Sequence, residues 1–176
     1  VYIVHIIATH VGLVGESSGI GAVLTYTQPL FVFCLAIPFL KERITAVKLL
    51  GAAIGFAGVV ALFLGRLSSF MLNSALAMVL SAFLWAVAIV YYKKRLSHVD
   101  SLVASFFQWS VGVLPLAALS LATNSFTLPR ETTYWWTVLY GSVGSLAVGS
   151  TVWLFILREE EATVLSSSGF IVPVIA

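Results

Sequence analysis

The sequence is 176 residues long, 60% hydrophobic and only 9% charged, and its mean hydropathy is +1.06. Because a soluble domain usually carries about 25% charged residues, this composition excludes an ordinary soluble domain and predicts an all-α, polytopic membrane protein. The formal net charge is +2, and Cys34 is the only cysteine, so no disulfide can form within the chain and no metal cluster is expected. Nothing in the composition indicates a cofactor or a nucleic-acid partner.

Clusters of charged residues divide the chain into seven apolar segments. About 20 apolar residues cross a bilayer as a helix, and most of the segments reach that length. The first segment is short and the last stops at Ala176, so we expect these two helices to be truncated and the chain to be an interior part of a longer protein. The predicted segments are residues 1–13, 20–40, 45–64, 74–92, 101–122, 134–157 and 162–176.

Lysine and arginine concentrate on one side of the predicted membrane. Successive connections alternate between the two sides, and one side collects seven basic residues against two on the other, Arg66 and Arg130. Cytoplasmic loops carry the excess of Lys and Arg. We therefore predict a multi-pass protein of the cell membrane in which the connections at 41–48, 93–100 and 158–161 are cytoplasmic.

The second and the last segments resemble each other. Each contains small residues, a short polar run and a proline, which is Pro29 in one and Pro173 in the other. When the two prolines are aligned, Thr25 falls on Gly169, which indicates an internal repeat. An odd number of spans separates the copies, so they must be inverted in the membrane. Inverted repeats with proline-bearing helices are a transporter architecture.

Each proline lacks a backbone N–H and leaves a carbonyl one turn earlier without its helical partner. At bilayer depth that carbonyl must be satisfied by protein, water or a ligand. Nearby polar side chains would complete a solute cavity, and Thr25 and Gln28, three residues apart, would share a face, as would Ser166 and Gly169. The alternative is a structural kink in which side chains bond back to their own helix. The candidate solute-binding residues are Thr25, Tyr26, Gln28, Gln108, Ser166 and Ser167, with Pro29, Pro115 and Pro173 as kink positions.

Two stripes of small residues predict close approach of helices within the protein, because such residues let helix backbones pack tightly in a membrane. Sliding of helices along these stripes during transport is compatible with the pattern. The first stripe is Gly51, Gly55 and Gly58, and the second is Gly141, Ser145 and Gly149.

Longer motifs resemble the EamA-type transporters of the drug/metabolite transporter superfamily. The matching residues are Thr27 to Phe31, Phe39 to Ile44, Leu50 to Val59, Ser81 to Ala86 and Ser166 to Val174, with Lys41 standing where the family usually has glycine. The resemblance implies a ten-helix bundle of two inverted five-helix repeats. This chain would hold about seven of these helices, roughly the third to the ninth, with residues 1–68 in the first repeat and 69–176 in the second. It also implies a secondary transporter of a small organic solute rather than an enzyme.

Two readings from other classes stay open. One is a membrane assembly subunit that transports nothing and packs through its glycine stripes. The other, which is less favoured, is an intramembrane hydrolase using Ser17 or Ser142 with His5 or His10. An intramembrane histidine is also a candidate for proton relay, so proton coupling is a further hypothesis. The sequence names neither the solute, the direction of transport nor the oligomeric state, for which a homodimer is considered.

Overall fold

A computed structural model of the chain describes residues 2–14, 18–63, 72–122 and 129–172. Within these residues all regular structure is helical, which confirms the predicted all-α fold. The helices are α1 (Tyr2–Val14), α2 (Ser18–Thr25), α3 (Gln28–Leu40), α4 (Ala46–Phe63), α5 (Leu72–Arg95), α6 (Ser101–Ala122), α7 (Thr132–Tyr140), a π-helix (Gly141–Gly149), α8 (Ser150–Glu159), α9 (Ala162–Ser168) and a 3₁₀ turn (Gly169–Ile171).

Each of the seven predicted segments contains at least one described helix, and three of the segments contain more than one helical element. Four helical stretches are long and apolar enough to cross a membrane, and three shorter apolar helices accompany them. The long stretches are Ile20–Leu40, Leu72–Arg95, Ser101–Ala122 and Thr132–Glu159, and the shorter helices are Ile3–Leu13, Ala46–Ala61 and Ala162–Ile171.

The chain forms two compact units. The first comprises residues 1–95 together with 160–176, and the second comprises residues 96–159. These units differ from the predicted halves at 1–68 and 69–176 because α5 packs against α1, α2 and α3, and α9 packs against α3 and α4. The halves describe a repeat in sequence, whereas the units describe packing, and the boundary between repeats stays a prediction.

One buried apolar cluster of the first unit is shared by α2, α3, α4 and the 3₁₀ turn. Val23, Phe33 and Phe170 are among its buried members. Gly55 of α4 allows Phe170 to approach, since a Cβ atom at this position would lie 2.6 Å from Cδ2 of that ring. Gly51 and Gly58 have no such neighbour within 4 Å in the described residues. Among the residues that the structure describes, Gly55 is therefore the member of the predicted glycine stripe that packs against a facing side chain.

In the second unit, α6 packs against the π-helix and α8. Trp109 Nε1 donates to Ser150 Oγ over 2.9 Å, and Ser105 Oγ lies 2.5 Å from the same oxygen. Ser150 Oγ itself donates to the Leu146 carbonyl, so Ser105 must be the donor in its pair. The sequence predicts one uninterrupted helix here, but nine residues wind as a π-helix, Gly141–Gly149. The predicted stripe of small residues on this segment is largely exposed.

Candidate functional site

The second membrane span is broken in its middle. Helix α2 ends at Thr25 and α3 begins at Gln28, with Pro29 in its first turn. The chain turns at Thr27, whose Oγ1 donates to the Leu24 carbonyl over 2.6 Å. Pro29 cannot donate to the Thr25 carbonyl, and the Thr27 hydroxyl competes for the backbone of α2. At the predicted kink the helix is thus interrupted by a turn at Tyr26 and Thr27, and the prediction that Thr25 and Gln28 share a face stays a prediction.

The last span changes its winding at the corresponding place. With the two prolines aligned, Thr25 at the end of α2 falls on Gly169, where α9 gives way to the 3₁₀ turn. The two aligned segments therefore both change their winding at this position. The predicted kink at Pro173 lies outside the described residues.

Each broken span carries one buried polar side chain with an unpaired atom. Gln28 is 4% exposed and Ser166 is 1% exposed. Within the described part of the chain, neither Gln28 Nε2 nor Ser166 Oγ has a hydrogen-bond partner. Leaving a buried donor or acceptor unpaired costs about 1–3 kcal/mol. Both residues belong to the first compact unit, in which α3 packs against α9.

The other predicted site residues fall into different environments. Ser167 Oγ donates to the Thr163 carbonyl over 2.8 Å, so this hydroxyl bonds back to its own helix, as the kink alternative expects. Tyr26 is half-buried and packs against the apolar cluster of the first unit, and Thr25 is half-buried beside it in sequence. Gln108 is half-buried on α6 in the second unit. That helix continues through Pro115 without ending.

A polar cluster that the sequence did not predict joins α1 to α5. His5 Nδ1 donates to the Ser81 carbonyl over 3.0 Å and lies 2.7 Å from Ser81 Oγ. Thr9 Oγ1 lies 2.5 Å from the same hydroxyl, and Trp85 stacks on the His5 ring at a centroid distance of 5.3 Å. Thr9 and Ser81 lie on different helices, and in the sequence each is only an isolated polar residue in an apolar segment. The sequence therefore gives no sign that the two hydroxyls meet. The cluster fastens the first helix to α5.

The serine and histidine pairs of the hydrolase hypothesis are not seen in the described residues. His5 bonds to Ser81, and His10 Nδ1 donates to the Ile6 carbonyl over 2.9 Å. Ser142 Oγ donates to the Leu139 carbonyl over 3.2 Å. Ser17 lies outside the described residues.

Glu42 fastens the end of α3 to the start of α9. Its carboxylate accepts hydrogen bonds from Ala162 N at 2.8 Å, Thr163 N at 3.1 Å and Thr163 Oγ1 at 2.7 Å. A carboxylate at a helix N-terminus satisfies unpaired amides and suits the helix dipole. Lys41, just before it, is the only described non-glycine residue with a positive φ, at 57°. Because this left-handed conformation favours glycine, Lys41 occupies a position where glycine would be less strained.

Three charged connections meet at one end of the first unit. Lys48 pairs with the Glu161 carboxylate, and Lys93 Nζ donates to the Glu160 carbonyl over 3.0 Å. With Glu42, these contacts join residues from 41–48, 93–95 and 160–163. Exposed ion pairs contribute little stability. These contacts are informative because they show that residues of the three connections predicted to be cytoplasmic lie close together.

Comparison with known proteins supports the architecture. The model of the EamA-like transporter family matches residues 3–64 and 72–176. The chain is 30% identical over 171 residues to the uncharacterized transporter YvbV of Bacillus subtilis, covering 94% of this chain and 55% of that protein. It is 26% identical over 170 residues to the uncharacterized transporter YoaV of the same organism, covering 94% and 58% respectively.

The similarity extends to archaea. An uncharacterized transporter encoded in the sor 3′ region of Acidianus ambivalens is 28% identical over 165 residues, which cover 94% of this chain and 64% of that protein. The chain thus spans between about half and two thirds of the length of these relatives. No solved structure matches the chain. The family match extends over nearly all of the sequence, and the chain therefore belongs to the EamA-like transporter family, within the drug/metabolite transporter superfamily.

Proposed function

We propose that the protein is a secondary transporter that moves a small organic solute by alternating access, around a site at the middle of the membrane between two inverted repeats. One observation carries this proposal. The two aligned spans each bury a polar side chain with an atom that has no partner among the described residues, Gln28 Nε2 and Ser166 Oγ. Buried polar atoms in proteins are usually hydrogen-bonded, and a bound solute or water would satisfy these two.

The broken helices support the same proposal. A helix that stops at mid-membrane exposes backbone amides at the start of the next helix and carbonyls at the end of the previous one. Interrupted helices of this kind form solute sites in inverted-repeat transporters. Gln28 begins α3, where Pro29 has no N–H and Leu30 N donates to the Thr27 carbonyl over 3.0 Å, so the Gln28 side chain is the polar group that this helix start would offer to a solute. We place the solute against the break, with Gln28 and Ser166 as its direct partners.

The test is a flux measurement on the protein expressed at its natural full length. Cells would be supplied with a panel of labelled amino acids, sugars, nucleosides and organic acids, and uptake and efflux would be followed. We expect one class of solute to respond to the wild type and to Ser168→Ala, whose hydroxyl bonds the Leu165 carbonyl of its own helix. The same flux should fall about tenfold in Gln28→Ala, which corresponds to one lost hydrogen bond. Equal flux in Gln28→Ala and wild type would remove the proposed site, and no response to any solute would favour the assembly subunit.

We further propose that the connections at 41–48, 93–100 and 158–161 are cytoplasmic, since they carry most of the basic residues. Their meeting at one end of the first unit supports a common side. In a Cys34→Ala background, Thr45→Cys and His98→Cys should react with a membrane-impermeant maleimide only after the cells are opened. Glu131→Cys should react on intact cells. The reverse pattern would invert the topology.

Proton coupling and a homodimer remain parts of the proposal. His5 is an ionisable side chain on α1, held by Ser81. In the flux assay, collapse of the proton gradient by an uncoupler should stop accumulation if transport is proton-driven.

The mass of the purified protein in detergent would distinguish a monomer from a homodimer.

A further inference from the structure

An open groove runs between α3 and α5 toward the charged end of the first unit. Its volume is about 420 Å³. Its wall on α3 includes Leu35 and Phe39, and its wall on α5 includes Phe83, Val87 and Tyr91. Residues four apart lie on one face of a helix, so each wall is a straight apolar stripe. Phe39 is 50% and Tyr91 58% exposed, so the described residues leave the groove open to its surroundings.

The groove ends at two cations. Lys94 and Arg95 line it and are exposed, and Lys94 Nζ lies 5.2 Å from the centre of the Phe39 ring. None of the residues that line it is acidic. At the other end the Phe83 ring meets Phe31 edge-on at a centroid distance of 5.6 Å. The groove is therefore apolar along its length and positive at its mouth.

The dimensions match one leaflet of a bilayer. From Phe83 to Arg95 a helix rises by roughly 18 Å, at about 1.5 Å per residue. Half of the hydrocarbon core is about 15 Å thick. A lipid with its headgroup at Arg95 would thus extend its acyl chain to the depth of Phe83. Basic pockets between membrane helices bind anionic headgroups.

We propose that this groove binds one anionic phospholipid of the surrounding bilayer, with an acyl chain between the two apolar stripes and the phosphate at Lys94 and Arg95. The structure favours a lipid over a soluble phosphate compound because the groove offers apolar length far beyond what a headgroup needs. It favours an anionic over a zwitterionic lipid because the mouth carries two cations and no carboxylate. This inference is independent of the proposed solute site, which lies at the helix breaks.

The test is binding of phosphatidylglycerol and phosphatidylcholine to the delipidated full-length protein, measured by native mass spectrometry. Each cation near a membrane surface contributes enough to change binding about fivefold, so we expect roughly 30-fold tighter retention of phosphatidylglycerol. The Lys94→Gln/Arg95→Gln double variant should lose this preference. The Arg43→Gln/Arg130→Gln variant, which removes two exposed cations outside the groove, should keep it.

Two further arms separate the groove from a general charge effect. Val87→Trp should displace the lipid by filling the groove while both cations remain, and its folding would be checked by gel filtration. Soluble glycerol 3-phosphate at millimolar concentration should not compete, because it lacks an acyl chain. Equal retention of both lipids by the wild type, equal loss in the two double variants, or displacement by glycerol 3-phosphate would each overturn the proposal. Equal retention is also the result expected if another protein segment covers the groove.

Discussion

Replacing Gln28 by leucine should leave the protein at least as stable as the wild type while reducing solute flux about tenfold or more. The side chain is 4% exposed, and its Nε2 has no partner among the described residues. An unpaired buried amide costs about 1–3 kcal/mol. Leucine of similar size removes that cost, so the free energy of unfolding should stay constant or rise by about 1 kcal/mol. A residue kept for packing would not behave in this way.

The flux should fall because the substitution leaves a polar atom of the bound solute without its partner. That loss is worth about 1–3 kcal/mol at a site closed to water, which corresponds to roughly 5- to 150-fold in flux at low solute concentration. The measurement pairs initial transport rates in proteoliposomes with denaturation midpoints of the same preparations. Ser166→Ala should follow the same pattern with a smaller gain in stability.

The matched control for Gln28→Leu and Ser166→Ala is Ser168→Ala, which lies two residues after Ser166 in α9. Its hydroxyl donates to the Leu165 carbonyl over 2.7 Å and is not an unpaired group. We expect wild-type flux from this variant. If Gln28→Leu instead lowered stability by more than 1 kcal/mol and kept its flux, the amide would be a structural group and the solute site would have to be sought elsewhere.

Much of the fold follows from hydropathy and charge alone. Apolar length locates the helices because a bilayer fixes how many residues a span needs. The aligned prolines Pro29 and Pro173 indicate the repeat, and the change of winding at Thr25 and at Gly169 falls on aligned positions. What hydropathy cannot give is whether a proline bends or breaks its helix. A turn precedes Pro29, where the Thr27 hydroxyl donates to the Leu24 carbonyl, whereas α6 continues through Pro115.

The candidate site was predictable only in part. Gln28 and Ser166 stand out in sequence because polar residues are costly inside an apolar segment. Both are buried, and Gln28 Nε2 and Ser166 Oγ have no hydrogen-bond partner among the described residues. Ser167 looks the same in sequence, yet its hydroxyl turns back to Thr163. The direction of a side chain around a helix depends on its neighbours in space. The π-helix at Gly141–Gly149 likewise has no simple signature, since glycine and serine also suit an ordinary membrane helix.

Long-range polar contacts were the least predictable feature. The Lys41-Glu42-Arg43 step reads as a charged membrane boundary, and its basic residues fit that interpretation. Glu42 does more, because the start of α9, some 120 residues later in the chain, supplies three donors to its carboxylate. No local sequence pattern predicts that a glutamate at the end of one helix will accept hydrogen bonds from the first amides of a distant helix. Only the packing of the two broken spans brings them together.

Replacing Glu42 by alanine should therefore destabilise the protein by about 2–3 kcal/mol. Hydrogen bonds to a charged group contribute about 1.5–3 kcal/mol, and loss of a helix cap alone costs about 0.5–2 kcal/mol. The variant also leaves the Ala162 and Thr163 amides unpaired at a partly buried helix start. Glu42→Gln should lose less, because its single carbonyl oxygen still accepts one of the bonds. Thermal unfolding of the purified protein in detergent measures both effects.

Glu131→Ala is the matched control for this prediction. Glu131 also stands at the N-cap of a helix, α7, but its side chain makes no capping hydrogen bond and is exposed. Its removal should change the free energy of unfolding by no more than about 0.5 kcal/mol. Equal midpoints for Glu42→Ala and Glu131→Ala would contradict the anchoring role.

The anchor also bears on transport, because Thr163 precedes the proposed solute partner Ser166 by less than one helical turn. Releasing the start of α9 should let this short helix shift, and a displacement of about 1 Å at a binding site is enough to reduce rates severely. We expect Glu42→Ala to lower flux even at temperatures where it is fully folded, with Glu42→Gln intermediate. A folded Glu42→Ala protein with wild-type flux would show that Glu42 holds the helix for stability alone, and that α9 keeps its place around Ser166 through packing against α3 and α4.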